Sequence, residues 1–473
     1  MHLIHYFCRK LKDMNRKLSF QLDDESNDTV KRYEQFLSGT ATGYFDVEEL
    51  ENIVEYYLRR GRTKDCTKAL DLGLQLHPNN NALKTKRAKI YLATGDDQKA
   101  FRVLDSLTET TDYEVILLRI EVLIKLQRLQ EAQILADKLI FDESDDLDNV
   151  CLDIAYIYLG QTEYATALQL LEKGDKFNNQ NAELLYELAF CYEQNENFDK
   201  AIDVNKRIID LDPFANEAWF NLGQLYFARQ DFSKALDCYD YALAIDENDS
   251  LTCIQKAHVQ FQLDQFEDAI ETYQEYKKMT SYASWQTDIF IAECYEKMEK
   301  YEESIRYYKQ SLTDHPENYD ALTGIAICLL EQEKFVESVP YIQGALDLNN
   351  EAADAWVYLA EANVGIDDVD SAMAAYMKSI SLDPNQPDTL MAIANIFLEK
   401  NDFESALKFY LAGKAQDSTL ELINLFIAVS YFKLGDIENT ITYLRVAVLD
   451  SEGAAALFLE LCPEAVESNL LEN

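Results

Sequence analysis

Between Asn216 and Asp249, apolar and small residues stand at Trp219, Leu222, Gly223 and Tyr226, and again at Phe232, Ala235, Tyr239 and Ala242. Intervals of three and four residues bring side chains onto one face of an α-helix, and the polar break Arg229–Asp231 separates the two runs. The pattern therefore predicts two helices folded back as a hairpin. The same skeleton returns every ~34 residues along nearly the whole chain, which marks a repeat architecture. Units in this register start at Val47, Asn81, Tyr113, Asp148, Ala182, Asn216, Ser250, Trp285, Tyr319, Ala353, Pro387 and Glu421.

The eighth place of each unit is the most regular. It holds Ala88, Ala155, Ala189, Gly223, Ala257, Ala292, Ala326, Ala360, Ala394 and Ala428, with Val54 and Ile120 as exceptions. A small residue there lets two helices approach closely while aromatics nearby fill the groove between them. Punctuation follows the same period: Pro78, Pro213, Pro316 and Pro384 fall between one hairpin and the next, and Gly61, Gly95 and Gly435 fall in the turn inside a unit. Pro340 departs from this, sitting inside a second helix, which it is expected to bend or to enter within the first turns. The unit at Ser250 is also irregular. Lys256, Gln260 and Tyr276 replace apolar or small residues, and an extra residue follows in KKMTSYAS, so a local hinge is expected there.

The pattern Trp219, Leu222, Gly223, Tyr226, then Ala235 and Tyr239, resembles the tetratricopeptide repeat, here in a long acidic array of bacterial type. The resemblance implies an all-α, right-handed α-solenoid of about twelve helix-turn-helix units over residues 47–451. Residues 1–46 then form a partly helical, partly flexible leader, and 452–473 a capping helix and tail. It also implies that first helices line an inner groove. The groove-facing places of the middle units carry Leu152, Tyr156, Tyr186, Phe190, Phe220, Gln224, Phe227, Ile254, His258 and Phe261. Exposed aromatics in such a strip anchor a peptide well; the competing reading is that they pack against neighbouring hairpins or under the leader. Toward the head, Lys84, Lys86, Arg87 and Lys89 with Arg59 and Arg60 form a candidate basic contact patch, to be weighed against a solvated face or an intramolecular contact. Members of the family that hold a chaperone's C-terminal carboxylate use Lys, Asn and Arg across three first helices. Asn52 and the lysines match only in part, and Glu114, Leu118 and Glu121 occupy the third helix, so that activity is not carried over.

Composition narrows the function classes. Hydrophobic residues make up 48% of the chain against only 14 Gly and 7 Pro, which favours packed helix over disorder. The formal charge is -42, distributed as 18 Lys or Arg against 15 Asp or Glu up to Arg102, and 25 against 70 beyond it. An acidic body repels a phosphate backbone, so nucleic acid is not an expected partner and a basic protein client is. The 9 Cys include no CxxC pair, and Cys191, Cys294 and Cys328 share the tenth place, where packing thiols are expected. The apolar run near Met1 is too short for a secretory or membrane segment, so a cytoplasmic location is expected. Residues 1–13, preceding Met14, read as an over-extended start or a flexible tail.

No catalytic constellation, metal motif or cofactor loop is present in the sequence. Only His258 among the five His faces the expected groove, where a hydrogen-bonding role is the simpler reading. These features predict a non-catalytic scaffold or adaptor that binds a protein or peptide client. Self-association, or service as the regulatory subunit of a separate enzyme, are the alternatives.

Overall fold

A computed structural model describes residues 22–40, 43–107, 111–280 and 284–468. The reading of residues 1–13 lies outside these. Among the described residues the regular structure is helical, without a strand. The first helices of twelve hairpins begin at Val47, Asn81, Tyr113, Leu147, Ala182, Asn216, Ser250, Ser284, Tyr319, Ala353, Pro387 and Ile423. Side-chain caps start several of them: Asp112, Asn181 and Asn318 accept from the backbone N–H groups of Val115, Leu184 and Ala321, satisfying donors that a helix start leaves free. Ile423 starts two residues after Glu421 because Leu422 adopts a left-handed conformation with φ 57°.

The turn inside every hairpin uses the same device. The fifteenth place has positive φ throughout, at Gly61, Gly95 and Gly435 but also at Gln127, Thr162, Glu196, Gln230, Asp264, Glu299, Glu333, Asp367 and Asn401. In those nine units a residue with a Cβ takes a conformation that ordinarily favours glycine. The hairpin geometry overrides the local preference.

The chain divides into two compact units, residues 1–245 and 246–473. In the first, helices pack in chain order, and the first helices Asn81–Ala93, Tyr113–Lys125, Leu147–Leu159 and Ala182–Gln194 also touch in succession. Their closer spacing puts the first-helix layer on the inside of the curve. The helix Leu22–Leu37 extends this stack: Tyr33 is fully buried between Phe45 and Tyr57, with ring centroids 5.7 and 6.3 Å away. Val30 is buried on the same helix and packs with Tyr33 on the first hairpin. In the second unit, Ala454–Leu461 covers the last hairpin, with Phe458 buried edge-on to Phe432 at 5.6 Å. Both ends thus bury apolar faces that a terminal repeat would otherwise expose.

The eighth-place residues are all buried. At Gly223 a Cβ would lie 2.6 Å from Tyr239 Cε1, so the Tyr239 ring occupies the space of the missing methyl. Pro340 lies inside the continuous helix Phe335–Leu348. Its ring removes the N–H that would bond the carbonyl of Val336, and both residues are exposed. In the Ser250 unit, Gln260 is buried and accepts a hydrogen bond from Thr272 Oγ1 at 2.7 Å, so a polar pair replaces the apolar contact of other units.

Candidate partner-binding face

The first helices Leu147–Leu159, Ala182–Gln194 and Asn216–Ala228 belong to the first unit and carry most of the aromatic groove positions. Tyr156, Tyr186, Phe190, Phe220 and Phe227 are half-buried, and Gln224 is exposed. Leu152 is 3% exposed and therefore belongs to the core rather than the groove. The aromatics are held by second-helix rings: Phe190 meets Tyr164 at 5.9 Å, Phe220 meets Tyr239 at 6.0 Å and Phe227 meets Phe232 at 5.5 Å. Tyr156 donates its hydroxyl to Glu183 Oε1 at 3.2 Å. Burial, together with the charges of Glu187 and Glu183, holds that phenol well above its ordinary range. Each ring thus has one face fixed by packing and part of its surface turned outward, a pre-organised contact that needs little ordering on binding.

Ile254, His258 and Phe261 lie on one helix of the second unit and are half-buried. His258 shares a hydrogen bond of 2.8 Å between Nδ1 and the Tyr273 hydroxyl, and its ring stands edge-on to Phe290 at 4.9 Å. Burial lowers its pKa, so it is a neutral hydrogen-bonding residue at neutral pH. Phe261 packs on Phe266 at 5.5 Å. Also in this unit, Glu293 is pushed up to about 7 by burial and by the charges of Glu296 and Asp320, with Lys297 opposing.

The six cations near the head do not converge. Arg59 and Lys86 both turn to Glu55, at 3.4 and 3.7 Å. Arg87 pairs with Asp71 and donates to the Tyr91 hydroxyl, and Lys89 reaches Glu114 at 2.5 Å. The Arg60 guanidinium lies 3.7 Å from the centroid of the Tyr56 ring, and Lys84 is half-buried. The intramolecular alternative therefore accounts for most of this patch.

A feature not read from the sequence lies at the twenty-fourth place, on the second helices. Tyr273 reaches His258, and Tyr410 donates to Asn395 Oδ1 at 2.5 Å; in each case the partner is the ninth-place residue of the first helix. Tyr308 instead donates to Glu296 Oε2 at 2.9 Å. Tyr239 occupies the same place, fully buried, but its hydroxyl has no partner among the described residues. Its ring leans on Gly223, and the ninth-place residue above it, Gln224, points to solvent. Asn205, at that place in the preceding hairpin, is 1% exposed; its Nδ2 donates to the Ala201 carbonyl and its Oδ1 is left unpartnered. The recurrence of Tyr every ~34 residues was the available signal.

Three models of the tetratricopeptide repeat family match the chain, over residues 217–249, 158–225, and 292–352 with 329–387. The chain carries tetratricopeptide repeats. Its buried thiols fit that framework: burial raises Cys191, Cys294 and Cys328 to about 12, which keeps them as neutral packing groups. This repeat array is 24% identical over 215 residues to Hsp70-Hsp90 organizing protein 1 of Glycine max, covering 43% of the chain and 36% of the relative. It is 23% identical over 234 residues to BBSome complex member BBS4 of Bos taurus, covering 48% and 44%. The chain therefore spans less than half the length of either curated relative. Among solved structures, a tetratricopeptide repeat protein from Parabacteroides merdae aligns with 53% of the chain and 98% of its own, at 15% identity and a TM-score of 0.40. Among the described residues no helix is long and apolar enough to cross a membrane.

Proposed function

We propose that the array is a non-catalytic adaptor that holds a segment of a partner protein along the first-helix face of Leu147–Ala228. The observation that carries this reading is the row of half-exposed aromatics, Tyr156, Tyr186, Phe190, Phe220 and Phe227, supplied by three successive hairpins of one unit. Aromatic rings supply large contact area at low entropic cost and dominate binding hot spots. The repeat adds a second reason: a stack of hairpins presents an extended surface that an extended segment can follow. Removing Phe220 or Phe227 would also disturb packing on Tyr239 and Phe232, so exposed Gln224 is the cleaner site to perturb.

Gln224→Arg places a long side chain on the face, between Phe220 and Phe227 in sequence, at an exposed position. Capture of partners from native lysate should fall about tenfold, roughly 1.4 kcal/mol of binding free energy, with the unfolding midpoint unchanged. Undiminished capture by the folded variant would place binding elsewhere on the surface.

A further inference from the structure

We propose that the edge of the first unit where successive hairpins join is a second docking surface, and that it takes a partner protein presenting arginines. This goes beyond the binding face on the first helices and is tested separately from it. Phe141, Phe214 and Tyr241 are 80, 77 and 57% exposed. Packing does not account for them, because the same places carry mostly polar residues in other hairpins. Phe141 is the penultimate residue of its helix, where Lys176, Asp210, Lys278, Thr313, Asp347 and Ser381 stand elsewhere. Phe214 lies just past the end of a second helix, at the place of Gln180, Glu317, Glu351, Asn385 and Thr419. Tyr241 stands where the three preceding second helices have Lys138, Lys173 and Arg207. Exposed rings that no packing requires mark a surface that meets a partner.

Bonds from joint to joint make these residues one edge. Asn178 and Asn181 donate to Asp148 at 2.7 and 2.8 Å, tying the joint after Phe177 to the one after Phe141. Arg207 reaches back to Asp175 Oδ1 at 2.6 Å and to the Asn179 carbonyl at 3.2 Å, so the next second helix closes on the same edge. The Trp219 indole donates to the Pro213 carbonyl at 3.0 Å and stacks on Tyr241 with centroids 4.5 Å apart, which links the Phe214 loop to Tyr241. Phe177, also exposed, stands in the intervening hairpin.

The chemistry of the occupant follows from what flanks the rings. Asp142, Glu143, Asp145 and Asp146 follow Phe141, and Asp210 and Asp212 precede Phe214; all six are exposed. The stretches 141–148 and 210–217 contain no Lys or Arg. Elsewhere the chain shows what a ring beside a carboxylate accepts. The Arg32 guanidinium lies 4.8 Å from the centroid of Phe45 and pairs with Glu49, and Arg62 lies 4.8 Å from Tyr57 and pairs with Asp65. Arg128 lies 4.6 Å from Phe101 and pairs with Glu131. A planar guanidinium stacks on the ring while its N–H groups reach the carboxylate, a combination that an ammonium matches less well. On the edge, ring and carboxylates are exposed together, and the arginine comes from the partner. A second copy of the chain is disfavoured as the occupant, because its body beyond Arg102 carries 70 acidic residues against 25 basic ones and repels the edge.

The test uses the full chain and two fluorescein-labelled dodecapeptides as probes, one repeating Arg-Ser-Gly and one with Lys in place of every Arg. Fluorescence anisotropy should show the Arg peptide binding about fivefold more tightly than the Lys peptide of equal charge. Phe141→Ser with Phe214→Asn, the residues that Ser381 and Asn385 place there in another hairpin, should lower its affinity about tenfold, with the unfolding midpoint unchanged. Adding Tyr241→Gln should lower it further, whereas Gln224→Arg should leave it unchanged. Equal affinity of the two peptides, or undiminished binding of the Arg peptide by the folded double variant, would show adhesion to the acidic exterior and overturn the inference. Binding lost in Gln224→Arg and kept in the double variant would overturn the edge and assign the arginines to the first-helix face. Light scattering that shows a dimer of the parent, lost in the double variant, would place a second copy on the edge and overturn the choice of partner. No binding of either peptide overturns the inference and leaves the proposed function standing.

Discussion

Gly223→Leu should destabilise the array by about 3 kcal/mol or more, whereas Gly223→Ala should stay within about 1 kcal/mol of the parent. The contrast follows from what fills the space at Gly223, where the Tyr239 ring lies within 3.0 Å of an added Cβ at three of its atoms. A single methyl is tolerable because Ala257 coexists with Tyr273, and Ala394 with Tyr410, at the same two places in other hairpins. Tyr239 has that alternative position available, and Ala also gains helix propensity over Gly. Leu has no such arrangement in any unit and must wedge the two helices apart. Denaturant midpoints read the two effects, and hydrogen exchange should show early opening confined first to residues 216–245. Equal midpoints for the Leu variant and the parent would mean that the hairpin is loosely packed at this point.

Substituting glycine at Gln127, Gln230, Glu299 and Glu333 together should stabilise the protein by about 2–4 kcal/mol. Each has φ between 57° and 60° and an exposed side chain. The left-handed conformation costs a residue with a Cβ about 1–2 kcal/mol, against about 0.5–1 kcal/mol for the greater freedom that glycine loses on folding. The net per site is small, but one geometry recurs in every hairpin, so the gains add at separated positions. Urea unfolding of the fourfold variant should show a higher midpoint, and Gly95→Ala a lower one. A fourfold variant no more stable than the parent would mean that the four side chains make compensating contacts.

Much of the fold was legible because the repeat constrains the residues at closest approach. Ala and Gly at the eighth place, and Pro at the joints, are dictated by contact distance and by a missing N–H, and both leave a mark in sequence. The shared left-handed turn left almost none, since nine of its twelve positions are not glycine and the packed hairpin imposes the conformation. The ion pairs of the basic cluster were not legible for a related reason: Lys86, Arg87 and Lys89 cluster on one helix, but Glu55, Asp71 and Glu114, which hold them, come from three others. The aromatic row shows the same limit of a one-dimensional register. Phe220 and Phe227 each lean on a ring of the second helix, which one-dimensional register does not reveal. Nor could periodicity distinguish Tyr239, with its unpartnered hydroxyl, from Tyr273 and Tyr410, whose surroundings differ at the eighth and ninth places across the hairpin.

The account turns on which face of the first unit meets its partner. A photo-reactive residue placed at Gln224, exposed on the first-helix face, and separately at Asp237, exposed on the second helix, decides this by cross-linking in native lysate. Covalent capture of a discrete partner from position 224, and little from position 237, is the predicted result. Capture from position 237 with none from 224 would contradict the assignment of the binding face.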